Sequence, residues 1–585
     1  MKTLTSLFAW FVALLVAGAA FRSTAQTFTQ SITLLPGWNS VFLEVTPLAP
    51  AVSSLFANSA IDSVWEARSR VSTVQFIQNQ NEAVFNRAGW SVYVPTNRIE
   101  SINNDLFAVA ANHSYLIKLN GSVPVTVSIS GRPSLKQQPF QPDAYTLRGF
   151  HVDPAHPPTF QQFFGSSPAH TDPATGLVQN IYRLNNDSSQ WQLVAPNDTL
   201  ESGVAYWVYT VGASSFDGPL SASTVIGDGL DYGTVSSQHI LTLQNNTSLA
   251  ATPTLTDLGS GPRPVAYYQF SPGALNPAWQ ALPQNQPLTV AAGATLNLRL
   301  AVRRGQMTGT NYSTVFQITD GQGTRLLVPF SVNRPAAVVS ASGGIPVGLQ
   351  AGLWVGDVTV NAVAETRVNA TNPTPVKSTF ALRLLVHVDT NGVTRLLREV
   401  IQMFQPGTTT NNAAGQAVVS QSGHYVLLTD DALLPQFQGA AVRDGVPVGR
   451  RFSTSSFDFD PPGGTNYVTM TGSFGIGNSV GCTLTLQPTT PTNPFLHRYH
   501  PDHDNLDGNY QPITVAAPEV FTIVRQIQLQ FSATDPTGQT TDADYGYRSI
   551  GGNYSETVTG LHNNPLMCSG VFHLTKVIDT PTLNQ

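Results

Sequence analysis

The sequence predicts a mainly β protein in which several sandwich or barrel domains follow one another, with few short helices. The 47 glycines and 41 prolines supply frequent turns, which suit many short strands better than long helices. Runs such as Thr295–Val302 alternate apolar and polar residues with the period of two that is typical of a strand. The chain of 585 residues is also long enough for several domains of ordinary size.

Charge is sparse in this chain and slightly acidic. Only 11% of the residues are charged and the formal net charge is -6, whereas about a quarter of the residues are charged in an ordinary soluble protein. A nucleic-acid-binding protein presents a basic face, so this composition excludes nucleic acid as a partner. Ser, Thr, Asn and Gln take the place of charged residues, as is common on exported β domains.

Residues 1–25 have the three parts of a secretory signal peptide. Lys2 gives the positive start, Leu7–Ala20 is the apolar run, and Ser23-Thr24-Ala25 is a cleavage site with small residues. We therefore expect a mature chain that is secreted or held at the cell surface, with no membrane span after cleavage. The alternative is an uncleaved anchor, although the apolar run is shorter than the ~20 residues that span a bilayer.

Residues 26–135 and 140–220 predict two β-rich units with the same order of landmarks, here called the first and second repeat. The matched positions are Gly37 with Gly149, Leu55-Phe56 with Phe163-Phe164, Trp90 with Trp191, and Tyr115 with Tyr206. This order indicates a diverged duplication, which favours display or adhesion over catalysis.

Tryptophans are concentrated in the two repeats. They lie at positions 38, 65, 90, 191 and 207. Their rings would be core residues of small domains or a platform on which sugar rings stack, and the core interpretation is favoured because large aromatic residues dominate small cores.

Residues 232–334 predict a third unit of short alternating strands. Its hairpin signals include Asp320-Gly321 between two such runs. A stretch of this length with alternating strands and no cysteine resembles a bacterial immunoglobulin-like sandwich, which implies a spacer or adhesive role. A linker rich in Pro, Ala, Ser and Gly follows at residues 335–346.

Residues 347–585 predict a β-barrel or sandwich domain with inserted loops. The Gly352-Leu353-Trp354 motif at its first strand resembles the start of lipocalin-like and avidin-like meander barrels. Glu519–Phe531 predicts one long strand, and the residues expected on its inner face are Phe521, Ile523, Arg525, Ile527, Leu529 and Phe531. As a whole, the region resembles uncharacterised secreted bacterial multi-domain β-proteins, a likeness that implies no known activity.

The two cysteines, Cys482 and Cys568, both lie in the last quarter of the chain. In an oxidising compartment such a pair predicts one disulfide. A cross-link over so long a loop is worth about 4 kcal/mol in the chain-entropy model. The alternative is two buried free thiols.

A segment of the C-terminal region concentrates groups that can hold a cation. Its carboxylates could bind calcium on an irregular loop, and its histidines could instead bind zinc. A solvated polar loop is the third interpretation. The residues concerned are His497, His500, Asp502, His503, Asp504 and Asp507.

Catalytic motifs are weak in this sequence. It lacks a His-Glu-x-x-His pair and a phosphate-binding glycine loop. An acid pair for glycoside cleavage could be drawn from Glu519, Asp542, Asp544 and Glu556. Arg525 is expected to form a buried ion pair with a neighbouring strand.

We therefore expect a secreted or surface-displayed binding or adhesion protein whose ligand is a polysaccharide or another surface polymer. One alternative is a metal-dependent hydrolase that uses residues 497–507. The other is a purely structural envelope protein. The sequence does not indicate an oligomeric state.

Overall fold

The computed structural model describes residues 26–58, 60–68, 89–225, 227–270, 277–334, 347–364, 372–412, 415–439, 442–460, 465–494, 522–538, 542–561 and 564–585. The chain is mainly β, as predicted. It forms two compact units: unit 1 is Met1–Val302 with Met307–Arg334, and unit 2 is Arg303–Gln306 with Pro335–Gln585. The predicted signal peptide and the linker at residues 335–346 lie outside the described residues.

The first repeat folds into two sheets in unit 1. Its elements are β1 (Phe28–Leu34), β2 (Gly37–Leu43), β3 (Val45–Pro47), α1 (Val52–Leu55), β4 (Ile61–Ala67), β5 (Trp90–Tyr93), a 3₁₀ turn (Ile99–Asn103), β6 (His113–Leu119) and β7 (Val125–Pro133). The strand order is β2-β6-β4-β5 in one sheet and β1-β7-β3 in the other.

The second repeat forms one four-stranded sheet. Its elements are β8 (Ala144–Gly149), α2 (Phe160–Phe164), β9 (Ile181–Asn185), β10 (Gln190–Leu193) and β11 (Ala205–Thr210). The order β8-β11-β9-β10 inserts the last strand between the first and the second, as in the sheet β2-β6-β4-β5. Thr159 begins α2 with a capping box, in which Gln162 bonds back to the Thr159 backbone.

Both repeats use a tyrosine hydroxyl in the same way. The Tyr115 hydroxyl accepts a hydrogen bond from the Ala110 N–H at 3.1 Å, and the Tyr206 hydroxyl accepts one from the Glu201 N–H at 3.0 Å. The donor lies five residues before the tyrosine in each case. Both tyrosines are buried, so each hydroxyl satisfies a loop N–H next to the core.

The two four-stranded sheets pack against each other through tryptophans. Trp38, Trp65 and Trp90 belong to the first repeat, and Trp207 and Trp191 to the second. Neighbouring rings in this series meet edge to face with centroids 6.1–6.2 Å apart. The core interpretation of these residues is therefore confirmed: they are buried, apart from Trp191, which is partly buried.

The third part of unit 1 is a sandwich of two five-stranded sheets. One sheet has the order β12-β14-β19-β16-β17 and the other β13-β21-β20-β15-β18. The inner faces of the two sheets share one core, which includes Leu241, Leu298, Phe316 and Phe330. Its strands are β12 (Leu220–Thr224), β13 (Leu230–Asp231), β14 (Gln238–Asn245), β15 (Thr254–Asp257), β16 (Val265–Gln269), β17 (Ala278–Ala281), β18 (Asn285–Pro287), β19 (Thr295–Val302), β20 (Asn311–Thr319) and β21 (Arg325–Asn333).

Unit 2 is built around a closed barrel of eight strands. Its strands are, in barrel order, β22 (Gly352–Val363), β23 (Thr374–Val388), β24 (Thr394–Leu397), β33 (Tyr467–Gly472), β34 (Ser479–Leu486), β35 (Ile523–Phe531), β36 (Ser549–Thr559) and β37 (Leu566–Ile578). The barrel closes where β22 pairs with β37, and side chains fill its interior. The predicted inner residues that belong to β35 are buried or partly buried as expected, and Phe521 lies outside the described residues.

Smaller sheets are inserted between β24 and β33. Their strands are β25 (Glu399–Gln405), β26 (Thr408–Asn411), β27 (Ala417–Gln421), β28 (His424–Leu428), β29 (Gln438–Gly439), β30 (Val442–Arg443), β31 (Val446–Pro447) and β32 (Arg450–Ser453). Further 3₁₀ turns are Arg304–Gln306, Val347–Leu349 and Asp431–Gln436. Leu427 and Phe452 of this insertion pack on Leu353 and Leu385 of the barrel wall.

Trp354, the aromatic residue of the Gly-x-Trp motif, is fully buried in the barrel core. Its indole N–H donates to the Gln350 carbonyl at 2.8 Å, and the Lys576 ammonium of the last strand lies 5.7 Å from its ring centroid. The Lys576 ammonium also lies 4.3 Å from the Tyr547 ring centroid. Burial lowers the Lys576 pKa to about 8, despite the nearby carboxylate of Asp579.

Candidate functional site

The predicted cation segment lies outside the described residues. This applies to all six candidate ligands, His497, His500, Asp502, His503, Asp504 and Asp507. In the part of the chain that is described, no three His, Cys, Asp or Glu side chains are grouped so that they could hold a metal ion. The calcium or zinc site therefore stays a prediction.

The predicted disulfide between Cys482 and Cys568 is wrong, because both cysteines are free. The sheet register gives the reason. Cys482 on β34 is opposite Ile527, Ile527 is opposite Glu556, and Glu556 is opposite Cys568 on β37. Three strand spacings at ~4.8 Å place the cysteines well beyond the ~7 Å that a disulfide allows between Cα atoms.

Arg525 forms the expected buried ion pair with a neighbouring strand, and its partner is Glu556 on β36. The second nitrogen of this bidentate contact lies 3.2 Å from the other Glu556 oxygen, and the Tyr554 hydroxyl donates to that oxygen at 2.5 Å. Arg525 also donates to the Ser456 carbonyl at 2.6 Å. Each charge is thus paired and hydrogen-bonded inside the barrel, which is what a stable buried ion pair requires.

The two thiols lie beside this ion pair. Burial raises the pKa of Cys482 to about 12 and that of Cys568 to about 11. Both therefore stay protonated near neutral pH, and a protonated thiol is a poor nucleophile. The arrangement is that of a polar layer within a core, and we assign it no chemistry.

Glu556 lies too far from Asp542 and Asp544 for these carboxylates to form the acid pair considered for glycoside cleavage. Asp542 accepts a hydrogen bond from Ser549 at the start of β36, whereas Glu556 lies seven residues further along the same strand. At ~3.3 Å per residue this is about 23 Å, beyond the separation of catalytic carboxylates in glycosidases. Glu519, the remaining candidate, lies outside the described residues.

The outer face of the sandwich carries a row of large side chains that the sequence did not single out, here called the aromatic row. It consists of Trp279 on β17, Tyr268 on β16, Arg299 on β19 and Ile240 on β14. Tyr268 is directly opposite Trp279, and Arg299 is directly opposite Ile240. Three strand spacings give the row a length of about 14 Å.

Alternation along each strand places this row outside. On β16, Val265 and Tyr267 enter the sandwich core, so Tyr268 points to the other face. On β19, Leu298 and Leu300 enter the core, so Arg299 points outward and is exposed. Trp279 and Tyr268 are partly exposed.

The side chains of the aromatic row hold one another in place. The Tyr268 and Trp279 centroids are 5.0 Å apart with the ring planes at 53°. The Arg299 guanidinium lies 4.5 Å from the Tyr268 centroid and 5.6 Å from that of Trp279, and it donates to Gln238 Oε1 at 3.1 Å. Such stacking fixes a guanidinium without using all five of its N–H donors.

The aromatic row has no acidic neighbour on its own face. The outward positions of the five strands hold Ser, Thr, Gln, Asn, Ala and the row itself, and no Asp or Glu. Within the described residues, Arg299 has no carboxylate partner. The face therefore offers aromatic surface beside an uncompensated positive charge.

Sequence reasoning missed the aromatic part of this site because β16 and β17 are short. Pro277-Ala278-Trp279-Gln280 is too brief for a period of two to be seen. The available signal was the pair Tyr267-Tyr268, in which adjacent aromatic residues in one strand must point to opposite faces.

Comparison with known proteins shows neither a family nor a function for this chain. No protein-family model matches the chain, and no curated protein matches it. Two solved structures of proteins of unknown function from Bacteroides ovatus are similar at 7% and 8% sequence identity, each with a TM-score of 0.14. The matches cover 58% and 62% of this chain and 84% and 95% of the other chains. At this TM-score neither similarity supports a functional argument.

Among the described residues, no helix combines the length and the apolar character that crossing a membrane requires.

Proposed function

We propose that this is an exported binding protein that recognises polysaccharide, and that the aromatic row of the sandwich is its contact surface. The observation that supports this proposal is the stacking of Tyr268, Trp279 and Arg299 on the outer face of the sheet. Indole and phenol rings offer apolar faces to the C–H groups of a sugar ring, while their polar edges remain hydrated. The likeness of the sandwich to bacterial immunoglobulin-like domains agrees with such a role.

The charge of this surface favours an acidic polysaccharide. Arg299 is exposed and already aligned by Tyr268, so little side-chain freedom is lost when it binds a carboxylate. The amide of Gln238, which accepts from Arg299, and the nearby Asn297 can bond to sugar hydroxyls. A polymer with carboxylate groups would therefore bind more tightly than a neutral one of the same length.

The tryptophans of the two repeats do not take part in this proposal. They are packed between two sheets, and a polysaccharide could not reach them without opening the core. The ligand class expected from the sequence is retained, but it is assigned to a different set of aromatic residues.

Affinity electrophoresis of the mature protein in gels that contain alginate, pectate or neutral dextran tests the proposal. We expect the acidic gels to retard the wild-type protein. W279A should bind about tenfold more weakly. R299Q should lose affinity for the acidic polymers but not for the neutral one. Y425A is the matched control, because Tyr425 is an aromatic residue exposed to 47% on an unrelated strand. Unretarded migration in every gel, or equal loss in Y425A and W279A, would refute the proposal.

A further inference from the structure

β1 is an edge strand whose outer side has no backbone partner among the described residues. It pairs along its whole length with β7, from Phe28 opposite Gly131 to Leu34 opposite Val125. The sheet order β1-β7-β3 leaves its other side at the edge. No backbone hydrogen bond from elsewhere in the described chain reaches this side.

This edge lacks the usual protection against strand addition. Natural edge strands are commonly guarded by charged residues, proline or a bulge, because their free N–H and C=O groups pair readily with another chain. The sequence of β1, Phe-Thr-Gln-Ser-Ile-Thr-Leu, contains no charge and no proline, and its pairing with β7 has no bulge.

A groove of about 460 Å³ runs along this edge. Ser31, Ile32 and Thr33 of β1 line one side of it, and residues 183–187 and 201–204 of the second repeat line the other. Its volume falls within the range of ordinary ligand sites. No aromatic side chain lines it, which distinguishes it from the aromatic row.

The walls of the groove are held by hydrogen bonds between the two repeats. The Asn186 amide donates to the Trp38 carbonyl at 2.8 Å, and the Phe42 N–H donates to the Gly203 carbonyl at 2.8 Å. The Ser40 hydroxyl donates to the Ala205 carbonyl at 2.6 Å. Because the repeats are fixed to each other here, the groove exists before any ligand binds.

The outward face of β1 indicates which kind of strand would fit. Its hydroxyls pair one by one with hydroxyls of β7: Thr29 with Ser130 at 2.7 Å, Ser31 with Ser128 at 3.4 Å, and Thr33 with Thr126 at 3.3 Å. An added strand with Ser or Thr at every second position would continue these rows on the outer side. Its intervening apolar residues would face Ile32 and Val204 in the groove.

We propose that this groove binds an extended, uncharged segment of a partner protein, with Ser or Thr alternating with β-branched residues, as an additional strand on β1. The backbone hydrogen bonds of the edge supply affinity, and the hydroxyl rows set the register. The opposite wall carries Arg183 and Glu201, which pair with each other at 3.2 Å, and the exposed Asp187, so it disfavours an acidic segment. This site is independent of the aromatic row.

The probe for the test is a labelled synthetic peptide with the sequence of residues 126–131, Thr-Val-Ser-Ile-Ser-Gly, which already has the required pattern. Fluorescence anisotropy with the whole mature protein should show saturable binding. Hydrogen exchange should slow at the amides of residues 29–33. The same peptide with alternate amides N-methylated keeps its side chains but loses its backbone donors, and it should not bind.

A pair of variants locates the peptide. S202Y places a ring in the groove and should weaken peptide binding at least tenfold, whereas S188Y, in an exposed turn outside the groove, should not. Both variants should keep their retardation by acidic polysaccharide, which separates this proposal from the one above. Equal binding of the N-methylated peptide, equal binding by S202Y, or an oligosaccharide that displaces the peptide would overturn the inference.

Discussion

Tryptophan is used in opposite ways in two regions of unit 1. In the repeats, Trp207 is fully buried and meets Trp90 and Trp191 edge to face. In the sandwich, Trp279 lies on the outer face beside Tyr268 and Arg299. The residue type is the same, but its surroundings differ: the ring is enclosed between two sheets in the repeats and partly exposed on the outer face of the sandwich.

Arginine side chains in unit 1 show the same contrast between a buried and an exposed position. Arg325 is almost fully buried, and it donates to the buried Glu44 carboxylate at 2.5 Å. Arg299 has no such partner in the described part of the chain, and it stacks on an aromatic ring instead. Buried arginines are therefore expected to control stability, and Arg299 to control binding.

The largest expected effect separates the two tryptophans directly. W207A should lower the free energy of unfolding by about 3–5 kcal/mol, because it leaves a cavity between two sheets. W279A should change it by less than ~1 kcal/mol, because its ring is partly exposed. Urea unfolding followed by circular dichroism measures both. Similar losses for the two variants would break the comparison.

The next effect concerns the buried Glu44. Burial opposes its charge, but the neighbouring His151 and Arg325 outweigh this and hold the Glu44 pKa below its usual range. E44Q should cost about 3–5 kcal/mol, because Arg325 is then left buried without its counterion. E201Q is the control, since its ion pair with Arg183 is exposed and should be worth ~1 kcal/mol or less. A cost for E44Q no greater than that for E201Q would contradict the assignment.

A smaller effect depends on pH and concerns His170. Its ring lies between Phe140 and Phe164, and burial, with a contribution from the Arg148 charge, lowers its pKa to about 4. The unfolded chain takes up a proton near pH 6.5 while the folded protein does not. Stability that is present above pH 6.5 should therefore be lost by roughly 3 kcal/mol as the pH falls towards 4.

Urea unfolding of wild type and H170Q at pH 7.5, 6, 5 and 4 measures this effect, and the difference between the two proteins should shrink as the pH falls. A constant difference between wild type and H170Q at all four pH values would show that His170 does not act in this way.

The smallest expected loss of stability concerns the tyrosine hydrogen bond that the two repeats share. Y115F and Y206F each leave one loop N–H without its acceptor, so each should cost about 1 kcal/mol. Chemical denaturation of the two variants in parallel measures both. A cost in one repeat and none in the other would show that the shared hydrogen bond does not do the same work in the two sheets.

Much of the architecture was predictable from local pattern. Alternation along Ile523–Phe531 identified the inner face of a barrel strand, and the size of the tryptophans favoured a core. Register was not predictable, since it depends on which strands become neighbours. For this reason the sequence predicted an ion pair for Arg525 but could not identify Glu556 as its partner, which the structure shows. For the same reason the predicted disulfide between Cys482 and Cys568 was wrong.

The closing seam of the barrel has a consequence for the order of assembly. β22 finds its second neighbour only in β37, where Leu353 pairs with Ile578. A chain synthesised from its N-terminus carries β22 with one bare side until the last strand of the barrel emerges. Premature termination before Leu566 would leave β22 and β36 each without a partner on one side, and such edges are prone to aggregation. The barrel can therefore close only after translation has continued past this point.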